Sequence, residues 1–204
     1  MHTGRPCEAT PAEVALVRQD LGFVPTNLVR VSAFVDSHGR TSRRCDDSGD
    51  YRPAVLLLYP LRNAESAYKK KQRAQVEPFP TIYWLSSPAL KARVSALEDQ
   101  QFVLTLQHRL DTNEGAKEKM AECHRAYAAE RWDMMTSDDV ALVKSRRWEF
   151  VLRDVGIAGI RDFTNVKCLH THYAHYLATG TNLIGEWVQE LLDGVALDEL
   201  KAVT

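Results

Sequence analysis

The residues best suited to chemistry lie together in one stretch of the chain. Cys168 is followed by His170, His172 and His175, so one thiol and three of the 7 histidines occupy eight consecutive positions. A thiol and imidazole rings can bind a soft metal ion, form an activated nucleophile or transfer a proton. The stretch therefore predicts a site, although it names neither a substrate nor a reaction.

Several arrangements are open if residues 166–178 form one helix. At about 100° per residue, Cys168, His172 and His175 lie on one side, so Cys168 and His172 can form a thiol–base pair. His172 and His175 can instead share a divalent metal ion such as zinc. The first turn of a helix and the adjacent Lys167 both favour a thiolate at Cys168. In the structural alternative, Cys168 is a small buried apolar residue and the histidines are framework or surface groups.

Composition predicts a compact intracellular protein. A chain of 204 residues with 45% hydrophobic content can form one domain, which we place at 1–204. Its 26 basic and 27 acidic residues argue against a general nucleic-acid binder. The 4 cysteines form no CxxC pair, as expected of reduced thiols in a soluble, cytoplasmic protein. No run reaches the ~18 apolar residues of a membrane span.

The first half of the chain predicts one helix and a small sheet. Thr10-Pro11-Ala12-Glu13 supplies a capping hydroxyl, a first-turn proline and a reciprocal glutamate, and Gly22 is a suitable end. Residues 36–53 are rich in Gly, Ser, Asp and Arg and predict a long mobile loop. Pro78 and Pro80 cannot donate to a ladder, so the chain there lies at an edge or outside the sheet. Apolar patterns predict strands at 28–35, 54–59 and 81–85.

The second half predicts mostly helices. Apolar residues at helical spacing, bounded by capping residues, place these at 88–110 as one helix or two, 116–132, 137 to about 153, 166–178 and 183–192. Residues 195–204 form a C-terminal tail. The predicted class is α+β, with a sheet of three or more strands from the N-terminal half packed by helices mainly from the C-terminal half.

Several of these segments together resemble a bacterial family called domain of unknown function 501. The resemblance covers most of the chain and is carried by the first helix leading into LGFVPTNLVRVSAF, by PFPTIYWL followed by Ser87-Pro88, by Leu97-Glu98, and by VKCLH with His175. It implies that Cys168, His170 and His175 are recurring positions and that His172 is not. If those three act together, it also implies that the helix begins near His170, with Cys168 on the incoming loop.

The resemblance also bears on metal binding. Many relatives look cysteine-rich in the loop after the first strand, whereas this chain has only Cys45 there. A metal site carried by that loop is therefore not expected here. The family's name implies no activity.

Our leading hypothesis from the sequence is a small enzyme that acts on an anionic small molecule. Cys168 is its nucleophile or a ligand, and His170 and His175 are acid/base or orienting groups. Lys167 favours the anionic substrate. The double-proline segment presents Thr81 or Tyr83 beside the Cys/His stretch, or these residues belong to an aromatic strand core.

Two other functions remain open. One is a non-catalytic module for metal binding or protein interaction. The other is a phosphate or RNA contact protein that uses Lys69, Lys70, Lys71, Arg73, Arg146 and Arg147.

Overall fold

Antiparallel strands from the N-terminal half of the chain form the sheet. The computed structural model describes residues 8–43, 51–63 and 76–194. Their strands are β1 (Leu28–Val35), β2 (Thr41–Ser42), β3 (Arg52–Leu58), β4 (Leu61–Asn63), β5 (Val76–Pro78) and β6 (Tyr83–Leu85). Four form one sheet in the order β2-β1-β3-β6, and β4 pairs with β5 separately. The predicted α+β class is confirmed.

Seven α-helices surround this sheet in the described residues. They are α1 (Pro11–Leu21), α2 (Pro88–Asp99), α3 (Phe102–Asp111), α4 (Glu114–Asp133), α5 (Ser137–Ser145), α6 (Leu169–Thr179) and α7 (Leu183–Leu192). A π-helical turn, Phe150–Asp154, and a 3₁₀ turn, Ile157–Gly159, lie between α5 and α6. No helix in the described ranges combines the length and apolar character needed to cross a membrane.

Local signals explain the helix ends. The amide of Glu13 donates to Thr10 Oγ1 at 3.2 Å, and the Thr10 amide donates to Glu13 Oε2 at 2.7 Å, which confirms the predicted capping box of α1. Gly22 ends that helix at φ 78°. Of the two alternatives for 88–110, the structure shows two helices, because Gln101 adopts a left-handed φ of 66° between α2 and α3.

The sheet is covered on both faces, and β3 is its most buried strand. On one face, Val17 of α1 packs with Leu56 and Leu58. On the other, Leu57 packs in the large core that includes Leu169 of α6. Each of these leucines contributes about 1.5–3 kcal/mol by burial. The strand predicted at 54–59 is therefore β3, buried on both faces, and α6 packs against the sheet.

The hairpin of β4 and β5 was not predicted, because each strand has only three residues. Pro78 pairs with Leu61 in this small sheet, so it lies outside the main sheet, as expected. The predicted loop 36–53 is interrupted by β2, and β3 already begins at Arg52. Several sequence predictions fall outside the described residues: Cys45, the basic run Lys69, Lys70, Lys71 and Arg73, and the tail 195–204.

Candidate functional site

Cys168 occupies the position immediately before α6. It is the N-cap residue, with an extended backbone at φ −117° and ψ 112°, and the helix begins at Leu169. Because residue 168 is not helical, a helical wheel does not give the direction of its side chain. The thiol of Cys168 is paired with His170 instead of His172. Cys168 thus precedes the helix, as the family resemblance implies, but His175, which the resemblance groups with it, is not part of this pair.

A carboxylate from α2 joins this pair. Ligand atoms of Glu98, Cys168 and His170 all lie within 4.8 Å of one another, and all three residues are half-buried. Glu98 Oε1 accepts a hydrogen bond from the Leu169 amide at 2.7 Å and lies 3.1 Å from Nδ1 of His170. Glu98 therefore both satisfies the first amide of α6 and orients the imidazole ring. We call these three residues the Cys–His–Glu cluster.

The other ring nitrogen of His170 also faces α2. Its Nε2 lies 3.1 Å from the Ser95 hydroxyl oxygen and 3.3 Å from the Lys91 carbonyl oxygen. A carbonyl and a carboxylate can only accept, whereas a hydroxyl can accept or donate. A doubly protonated imidazolium satisfies all of these contacts, because it donates from both nitrogens.

The pKa values agree with this protonation. The hydrogen bond to Cys168, helped by Glu98, raises the pKa of His170 to about 9, although burial opposes the shift. Burial raises the pKa of Cys168, but hydrogen bonds from His170 and from the Thr171 backbone outweigh it and leave that pKa below its ordinary value. The cluster thus favours a thiolate beside an imidazolium.

The segment that carries Cys168 is held by α3. Gln107 Oε1 accepts from the Val166 amide at 2.7 Å, and Gln107 Nε2 donates to the Thr164 carbonyl at 2.9 Å. Thr171 closes the first turn by donating its hydroxyl to the Cys168 carbonyl at 2.9 Å. The cysteine is therefore anchored on both sides.

His175 lies elsewhere on α6 and is not part of the Cys–His–Glu cluster. It is 3% exposed, and its Nδ1 lies 3.1 Å from the amide nitrogen of Asn182. Its ring packs against Tyr83 at 5.5 Å and Tyr127 at 5.2 Å between centroids. Burial lowers the pKa of His175 to about 4, so the ring is neutral near pH 7.

Two more buried histidines, His172 and His124, lie near His175. Neither nitrogen of His172 has a hydrogen-bond partner among the described residues, although the Asn182 amide lies nearby. His124 accepts from the Ile157 amide at 3.0 Å and lies 5.7 Å from His172 between ring centroids. Burial lowers the pKa values of His172 and His124 to about 3 and about 4. His124, His172 and His175 form the interior histidine group.

The remaining predicted site residues are Tyr83, Thr81 and Lys167, and of these only Lys167 adjoins Cys168. Tyr83 is 2% exposed, contacts His175 and donates to Glu130 Oε1 at 2.6 Å. Thr81 is half-buried and forms no side-chain hydrogen bond with the described part of the chain. Lys167 is exposed next to Cys168. Glu98 was missed as a site residue, and its only sequence signal was its place in the resemblance.

Comparison with known proteins gives a family but no activity. No curated protein and no solved structure matches the chain. A family model described as "Protein of unknown function (DUF501)" matches residues 42–190. This range includes α2 and α6, which carry the Cys–His–Glu cluster, and it spans most of the 204 residues. The chain therefore belongs to the DUF501 family.

Proposed function

We propose that the protein is an enzyme in which the thiolate of Cys168 attacks an electrophilic carbon of a small anionic substrate. The proposal is supported mainly by the position of His170, whose nitrogens face Glu98 on one side and Ser95 and Lys91 on the other. An imidazolium held in this way stabilises a neighbouring thiolate, which is the nucleophilic form of cysteine.

Each member of the cluster has a distinct part in this mechanism. The sulfur lone pair of Cys168 forms a bond to the substrate carbon, and the bond to the leaving group breaks with its electron pair. The imidazolium of His170 gives a proton to that leaving group and is then a neutral base for an incoming water molecule. Glu98 fixes the orientation of the ring and stabilises its positive charge. The exposed ammonium of Lys167, adjacent in sequence, supplies attraction for an anionic substrate.

The proposal is tested by the pH dependence of alkylation at Cys168. Iodoacetamide labelling of the folded protein, followed peptide by peptide in a mass spectrometer, gives a separate rate for each cysteine. We expect Cys168 to react rapidly near neutral pH and His170→Gln to move its alkylation midpoint to higher pH. Cys123 is the internal control, because burial raises its thiol pKa and its Sγ lies 3.1 Å from the Thr181 carbonyl.

Two results would contradict the catalytic proposal. One is a Cys168 alkylation profile that is the same in the folded and urea-unfolded protein. The other is a His170→Gln profile that matches the wild-type profile.

A divalent metal site is a second candidate, because Glu98, Cys168 and His170 are the one group of potential ligands with such spacing in the described ranges. Sulfur, nitrogen and oxygen donors at about 2.0–2.3 Å suit zinc, and three protein ligands leave a fourth position for water. Protein purified without added metal would then contain one zinc per chain, and Cys168→Ser would contain none. Bound zinc would also slow alkylation of Cys168, whereas the thiolate nucleophile reacts rapidly in the presence of a chelator.

A further inference from the structure

A cavity of about 460 Å³ lies apart from the Cys–His–Glu cluster. It is a partly open cavity lined by α1, the segment that leads into β1, the residues from the end of β3 into β4, and the chain from the end of α4 into α5. The volume falls in the range of about 300–1,000 Å³ that is typical of ligand cavities. Its walls are mainly apolar and include Val14, Val24, Leu28, Leu61 and Met134.

The polar end of this cavity is already held in place. The Tyr59 hydroxyl donates to Asp139 Oδ2 at 2.5 Å and accepts from the Thr136 amide at 3.2 Å. The Thr136 hydroxyl donates to the same carboxylate oxygen at 2.8 Å. Asn27, which is 8% exposed, fixes Tyr59 from the other side by donating to its carbonyl at 2.8 Å. A ligand at this end meets a preformed surface, so its binding orders few side chains.

One carboxylate oxygen at this end remains available. Oδ2 of Asp139 accepts both side-chain hydrogen bonds, and Oδ1 accepts none from the residues that the structure describes. In those residues Asp139 also has no basic partner within ion-pair distance, and neither does Glu8 at the rim of the cavity. The cavity thus presents negative charge beside an apolar wall, which complements an apolar cation.

We propose that this cavity binds a small organic ammonium ion, with its ammonium group on Asp139 Oδ1 and its apolar body against Val14, Val24 and Met134. Both charges lie in a partly enclosed site, where a charge-assisted hydrogen bond is stronger than in open solvent. A neutral ligand of the same shape makes the apolar contacts and lacks the ionic one. The proposal is independent of the chemistry at Cys168.

The test uses two probes of nearly equal shape. Binding of 2-phenylethylammonium and of uncharged 2-phenylethanol to the full chain is measured by isothermal titration calorimetry. We expect the ammonium to bind about tenfold or more tightly than the alcohol, the ratio expected of one hydrogen bond to a charged group. Asp139→Asn should remove this preference. Asp138→Asn should keep it, because it deletes the same charge at an adjacent exposed position outside the cavity.

A second variant protects the test against loss of folding in Asp139→Asn. Val14→Phe fills part of the cavity from α1 and leaves Asp139 of α5 unchanged, so it should weaken binding of both probes. The proposal is overturned if wild-type protein binds neither probe or binds both equally. It is also overturned if Asp139→Asn retains the preference or if Val14→Phe binds both probes as the wild type does. Alkylation of Cys168, measured on the same variants, reports separately on the proposed enzyme.

Discussion

The interior histidine group predicts that the protein loses stability steeply in mild acid. Burial lowers the pKa values of His124, His172 and His175 to about 4, about 3 and about 4, against an ordinary value of 6.5. Because these folded-state pKa values are depressed, the three histidines contribute fully to the free energy of unfolding above pH 6.5. That contribution is lost as the pH falls through their folded-state pKa values. Between these limits the unfolded chain binds protons that the folded chain does not.

The size of this loss follows from the shifts. At about pH 5.5, protonation of each of these histidines stabilises the unfolded state by about 1.4 kcal/mol, because the pH lies one unit below the ordinary histidine pKa. Three such residues remove about 4 kcal/mol, a large part of a typical free energy of unfolding of about 5–15 kcal/mol. Replacing one of them should therefore recover about 1.4 kcal/mol at this pH.

His172→Leu is the sharpest perturbation, because neither ring nitrogen of His172 has a hydrogen-bond partner in the part of the chain that the structure describes. Leucine removes two unsatisfied buried atoms, so the variant should be at least as stable as the wild type at about pH 7.5. Urea unfolding at about pH 7.5 and about pH 5.5 measures the free energy of unfolding, and the difference between the two values is the loss of stability in acid for each protein. We expect the loss between these two pH values to be smaller in His172→Leu than in the wild type by about 1.4 kcal/mol.

The matched control is His108→Leu, which removes an exposed histidine on α3. It should show the same difference between the two pH values as the wild type. The reasoning is refuted if His172→Leu loses as much stability in acid as the wild type. A loss of several kcal/mol already at about pH 7.5 would show instead that His172 is hydrogen-bonded.

Three further substitutions test other parts of the structure. Gly156→Ala should cost about 1–3 kcal/mol in urea unfolding, because its Cβ would lie 2.4 Å from His124 Nδ1, whereas exposed Gly115→Ala should not be destabilising. Arg131 is fully buried and donates to the carbonyls of Pro80, Leu152 and Val155, so Arg131→Lys should lower Tm by about 4–12 °C; an unchanged Tm would contradict this role. Glu98→Gln keeps an acceptor for the Leu169 amide but removes the charge, so NMR titration should show a lower pKa for His170 with α6 intact; an unchanged pKa would exclude the orienting role.

The parts of the fold that the sequence predicted are those determined by neighbouring residues. The Thr10 capping box consists of local hydrogen bonds, and the apolar run of β3 reflects burial on both sides. β4 and β5 are too short to show a period, and their pairing depends on residues distant in the chain. The sequence left 88–110 open as one helix or two, because the choice depends on the backbone angle of Gln101, which an apolar pattern does not determine.

The Cys–His–Glu cluster was only half predictable for a related reason. Cys168 and His170 are two positions apart in sequence, but Glu98 joins them through the packing of α2 against α6 and is 72 residues from His170 in the chain. A helical wheel also places Cys168 beside His172, because it assumes that residue 168 has helical angles. The observed extended angles turn the thiol toward His170.

α6 joins two environments that shift histidine pKa values in opposite directions. His170 has a raised pKa of about 9, so its contribution to stability is complete below pH 6.5 and is lost as the pH rises through about 9. The pKa of Cys168 is lowered, so its contribution grows as the pH rises toward the ordinary thiol value. As the pH rises, the stabilisation from His170 decreases while that from Cys168 increases, so the two partly cancel. As the pH falls, the three interior histidines all lower the free energy of unfolding. The stability profile should therefore fall steeply below pH 6.5 and only gradually above it.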